Sequence, residues 1–108
     1  MVEFPQKSTN RNKGRLIGEN LMSKRYKVAI KVISQIGTCI HNHKIGDEWI
    51  VDNTTPEGIC LTAFNDLFPH IWTLMFGGSY PWESNPNKIT NIACADANNP
   101  LVFELTRL

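Results

Sequence analysis

PEGICLTAFNDLFPHIWTLMFGGSYPW, residues Pro56 to Trp82, is the stretch on which the fold turns. Between Leu67 and Phe76 the apolar residues recur at spacings of three and four. Leu67, Ile71, Trp72 and Met75 fall on one side, with Phe68, Ile71 and Leu74 beside them. That period predicts a helix buried over a wide face. Asn65 or Asp66 can serve as N-cap, which places Pro69 in the first turn, where its missing N–H costs nothing. Gly77 or Gly78 then supplies the left-handed residue that ends the helix. An earlier start, at Thr55-Pro56-Glu57 with a kink at Pro69, is the alternative. Gly58 and the Asn65-Asp66 pair favour a break between the two.

Outward from the helix the period changes from near four to two. Tyr26 to Ile36 alternates, with Tyr26, Val28, Ile30 and Val32 on one face and Lys27, Ala29 and Lys31 on the other. This predicts a half-buried strand. Glu48 to Asp52 reads as a second strand after the Gly46-Asp47 turn. Lys88 to Cys94 reads as a third, with Ile89 and Ile92 inward. Leu101 to Leu108 is a fourth, with Leu101, Phe103 and Leu105 on one face. The short Asp96 to Pro100 turn joins the last two strands as a hairpin. The expected architecture is α+β, a small, mainly antiparallel sheet or half-barrel wrapped on one buried helix.

At 108 residues the chain is long enough for one core without staples. Residues 1–25 carry six bases against Glu3 and Glu19, a net +4, which leaves the remainder at −3. A flexible basic tail over 1–23 and a single globular domain over 24–108 follow. Met22 is a natural start for the folded part, so the residues before it read as an upstream extension. The first 25 residues lack an apolar run of the secretory kind. No apolar run approaches the roughly 20 residues a membrane helix needs. Three cysteines, an odd number, do not make a disulfide framework and suit a reducing, cytoplasmic setting. The tail has no aromatic interleaving and the body is net negative, so nucleic acid is the least favoured partner.

Several short motifs follow one another in order: His43-Lys-Ile-Gly46-Asp47, Pro56-Glu-Gly58-Ile-Cys60, Leu67-Phe-Pro69, Phe76-Gly-Gly-Ser-Tyr-Pro-Trp82, Cys94-Ala-Asp96 and Pro100-Leu-Val-Phe103. Together they resemble a family of small prokaryotic proteins of unassigned activity, over most of the chain from Tyr26 onward. The resemblance implies no reaction and no cofactor. The family pattern has glycine before the histidine and proline after the last cysteine. Here those positions hold Asn42 and Ala95, so the two loops are expected to be shaped differently.

Cys39, His41, His43, Cys60 and Cys94 are the residues with the most chemistry to offer. Thiolates and imidazole are soft donors that suit zinc or iron, and four of them make a closed tetrahedral site. Cys39, His43, Cys60 and Cys94 are the expected metal- or ligand-binding set, converging on one end of the sheet. The spacing contains no C-x-x-C pair, however, and buried free cysteines often only pack. His43 is either a loop-fixing residue or a general base for Cys39 or Cys60, with Asp47 orienting it. Trp49, Trp72, Tyr80 and Trp82 are candidates for the wall of an apolar pocket or a dimer contact.

Three functions compete on this reading. The first is a non-catalytic binding domain with a Cys/His-lined metal or small-ligand site. The second is a thiol-dependent enzyme using Cys60 or Cys39 with His43. The third is a self-associating structural or adaptor subunit, a homodimer through its aromatic residues.

Overall fold

A computed structural model describes residues 25–108, and the basic tail expected over 1–23 lies outside them. Among the described residues, four strands and one helix follow in the order β1 (Val28–Gln35), β2 (Glu48–Val51), α1 (Leu61–Met75), β3 (Lys88–Ala93) and β4 (Leu101–Arg107). The strands form one antiparallel sheet in the order β2-β1-β4-β3. The fold of the described residues is α+β, an open sheet packed against α1.

Alternation accounts for the sheet. Val28, Ile30 and Val32 of β1 and Leu101, Phe103 and Leu105 of β4 are buried against the helix. The pairing sets Ile30 opposite Leu105 and Val32 opposite Phe103. Each such side chain contributes roughly 1.5–3 kcal/mol by leaving water. Two irregularities interrupt the pleat, one between Val32 and Ser34 and one between Ile89 and Ile92. At the second, Asn91 takes a positive φ of 63°, as an extra residue in a ladder often requires. Tyr26 does not join the buried face: it precedes β1, is exposed, and lies beneath the Arg107 guanidinium.

The helix starts five or six residues earlier than a cap at Asn65 or Asp66 predicts. Cys60 is the N-cap, and Pro69 sits in the helix interior. Ala63, Leu67, Ile71, Leu74 and Met75 form the buried face. Continuing that face back to Ala63 outweighs the backbone hydrogen bond that Pro69 cannot donate. The helix is buried on that face only. Phe68 and Trp72, which the period places on the apolar side of the helix, are 45% and 51% exposed. Gly77 (φ 88°) ends the helix as anticipated. Its N–H donates to Leu74 O, and the Gly78 N–H donates to Thr73 O, the reciprocal pair of a Schellman cap. A Cβ at Gly78 would stand 2.8 Å from Thr73 Cγ2. Among the described residues no helix is long and apolar enough to cross a membrane.

Candidate functional site

Three connections meet at one end of the sheet: the β1–β2 loop, the entry to α1, and the β3–β4 turn. Between them lies a cavity of about 40 Å³ whose lining includes Cys39, His41, His43, Cys60, Cys94 and Asp96. The four residues expected to form a binding set therefore share one cavity, although 16 residues lie between His43 and Cys60 and 33 between Cys60 and Cys94. All three cysteines are free and partly buried. Among the described residues, no group of three or more His, Cys, Asp or Glu side chains is arranged to hold a metal ion. The tetrahedral zinc or iron centre suggested by donor type is thus not preformed.

The loop is fixed by its own backbone groups. Asn42 N–H donates to Cys39 O, and Asn42 adopts φ 66°. That left-handed conformation is natural to glycine and tolerated by asparagine better than by most residues. Asp47 Oδ2 accepts the Lys44 N–H at 2.9 Å, and Lys44 O accepts the Asp47 N–H at 3.0 Å. Asp47 therefore closes the loop on itself, and its bonded partner is Lys44 rather than the His43 ring. Beyond the β1 bulge, Gln35 donates its side-chain N–H to His43 O.

His43 is the buried polar residue of the site, 6% exposed, with Trp49 edge-on at 4.9 Å. Its Nε2 accepts the Cys60 backbone N–H at 3.1 Å. Nε2 is therefore the unprotonated nitrogen, and the neutral ring carries its proton on Nδ1. This contact joins the β1–β2 loop to the start of α1 and satisfies one backbone donor there. The imidazole engages the backbone of Cys60 and not its sulfur, so a base for the thiol is not what this geometry provides.

Burial lowers the His43 pKa below the ordinary histidine value. Asp47 acts to raise it, and His41 lowers it further. An unfolded chain takes up this proton near pH 6.5, the folded one only at lower pH. The stability from neutral His43 is thus fully present above that pH and is lost progressively below it. We expect unfolding free energy to fall from pH 7.5 to 5.5, with a His43 share of at most about 1.4 kcal/mol per pH unit. Urea titrations of wild type and His43→Gln should diverge in slope across that window; parallel pH profiles would refute the assignment.

Cys60 stands at the start of α1. Burial opposes its ionisation, but the Thr62 hydroxyl and the N–H groups of Ala63 and Thr62 outweigh burial. The pKa falls below the ordinary thiol value even with Asp66 acting the other way. Sγ lies 3.1 Å from Thr62 Oγ1. It makes no cap hydrogen bond of full geometry, yet a helix start is where N–H dipoles favour a thiolate. Cys94 Sγ accepts the Leu101 N–H at 3.3 Å.

Asn99 and Asp96, turn formers by residue type, do more than form the turn. Asp96 Oδ1 accepts the Asn98 and Asn99 N–H groups. Asn99 Oδ1 accepts the Thr38 N–H at 3.2 Å, latching the Cys94 turn to the residue before Cys39. Gly37 permits this approach: it has φ 76°, and a Cβ there would collide with Asn99 Oδ1. The cluster Asp96-Ala-Asn98-Asn99 carried the signal of a turn but none of its partner.

The four aromatic candidates do not form one pocket. Trp49 packs beside His43. Trp72 lines a separate groove of about 120 Å³ with Arg25, Val51 and Phe68. Tyr80 and Trp82 stack on each other near the β3 edge. Against models of known families, curated proteins and solved structures, the chain shows no match.

Proposed function

We propose that this protein is a small non-catalytic binding domain whose Cys/His-lined cavity takes one small, thiophilic ligand, with Cys60 Sγ as its principal anchor. The observation that carries the reading is the convergence of Cys39, His43, Cys60 and Cys94, from separate connections, on a cavity of about 40 Å³. That space suits an ion or a molecule close to water in size, and its donors suit a soft cation such as zinc or iron. Such a cation would have to draw the thiols inward. Three free thiols also fit a reducing, cytoplasmic home.

Alkylation kinetics test the proposal. With iodoacetamide near neutral pH, Cys60 should react ahead of Cys39 and Cys94, and Cys60→Ser should remove the fast phase. Zinc or ferrous iron should slow modification of all three thiols together. Equal rates for the three, unchanged by either metal, would overturn the reading.

The lowered Cys60 pKa favours a second reading, a thiol-dependent enzyme with Cys60 as nucleophile and a base other than His43. Phe68, Trp72 and Phe76, exposed and in ring contact along α1, favour a homodimer through that face, which sedimentation of dilute protein would test.

A further inference from the structure

The Gly77-Gly78-Ser79-Tyr80-Pro81-Trp82 segment does more than end the helix. It places two aromatic rings in contact, Tyr80 and Trp82, with centroids 4.7 Å apart and planes inclined by 26°. Trp82 is nevertheless 73% exposed, so one indole face rests on Tyr80 while the other is open. Tyr80 is itself held, its hydroxyl lying 2.9 Å from His70 Nδ1 and its ring edge-on to that imidazole. The platform is therefore buttressed by the helix. Beside it runs an open groove of about 360 Å³, floored by β3 residues from Ile89 to Ala93, with Asn91 and His70 in its lining.

The groove's chemistry narrows the ligand. No Lys, Arg, Asp or Glu is among its lining residues, so it lacks the cations that a nucleotide's phosphates need. The two rings touch face to face and leave no slot between them for a proline ring, as recognition of a polyproline helix requires. Adding a peptide strand to the β3 edge is obstructed as well. The Thr90 N–H already donates to Glu83 Oε2 at 3.0 Å, and the Thr90 hydroxyl donates to the same carboxylate. What remains is an uncharged ring with one apolar face and a hydroxylated rim.

We propose that the Tyr80–Trp82 platform is a carbohydrate-binding site for an equatorially substituted hexopyranose, such as a β-linked glucose unit. In that sugar the axial C–H bonds form a flat apolar face that can lie on the open indole. The equatorial hydroxyls then point sideways, toward the Asn91 amide and the second ring nitrogen of His70. This site is separate from the Cys60 cavity and does not depend on it.

The test uses the full chain, with cellotetraose as the probe, followed by proton–nitrogen NMR. The Trp82 indole N–H and the amides of 89–93 should shift on titration, while the Trp49 and Trp72 indoles stay in place. Trp82→Ala should weaken binding by about tenfold or more, equivalent to about 1.4 kcal/mol. Trp82→Phe should retain part of it, and Trp72→Ala should bind like wild type. Asn91→Gly, which keeps the positive φ of the bulge and removes the amide, should weaken binding as well. An unshifted Trp82 indole at saturating sugar would overturn the proposal, and so would a response confined to AMP or to a polyproline peptide.

Discussion

Arg107→Ala is expected to lower the unfolding free energy by about 2–4 kcal/mol, although the residue lies near the chain's end and is partly exposed. Its guanidinium works as a clamp. Nη1 donates to Leu74 O at 2.9 Å and to Gly78 O at 2.8 Å. Nη2 donates to Pro86 O at 2.9 Å, and Nε donates to Asn87 Oδ1 at 3.1 Å. One side chain thus serves carbonyls at the end of α1 and in the loop before β3, where a cation also suits the helix's negative pole. Truncation leaves those acceptors to water and removes the cover over Tyr26. Arg107→Lys keeps the charge, but an ammonium cannot span both groups, so it should recover only part of the loss. Urea denaturation measures both variants. A cost for alanine within about 0.5 kcal/mol, the range of an ordinary surface change, would show that the clamp does not matter.

Phe103→Ala should cost more, about 3–5 kcal/mol. Phe103 is fully buried in β4, one of the two central strands, opposite Val32 on one side and Ile92 on the other. Removing the ring leaves a cavity that neighbours on both strands and the helix can close only in part. Phe103→Leu keeps most of the volume and should cost far less, on the order of 1 kcal/mol. The midpoint of denaturation should move while its slope stays constant. A loss below about 1 kcal/mol for alanine would mean that the sheet collapses around the gap, against the close packing described.

The strands were legible because each has one face toward the helix, and a period of two survives in the sequence. Their irregularities were not. Asparagine tolerates positive φ, but the alternation of Lys88-Ile-Thr-Asn-Ile-Ala gives no place for the bulge at which Asn91 adopts it. The helix start was misread for a definite reason. Asn65 and Asp66 have strong cap preferences, Cys60 has weak ones, and local preference lost to the burial of Ala63. A period of three and four places Trp72 on the apolar side of the helix but cannot say how wide the buried face is, and Trp72 is half exposed. At the site, residue type and loop position were enough to suggest that distant sulfurs could gather near His43. The direction of its ring was beyond reach, since the partner is a backbone N–H that every residue type supplies. Arg107 was passed over for the same reason: three of its four acceptors are not side chains.

The strand order has one more implication. The two inner strands, β1 and β4, are the first and the last along the described sequence. A nascent chain therefore cannot assemble the middle of its sheet until synthesis reaches β4, and before then α1 has only β1 and the edges to lie on. Closing so long a loop is slow compared with local turns. Until β4 has emerged, the greasy side of the helix lacks half of its central cover and is open to transient non-native collapse.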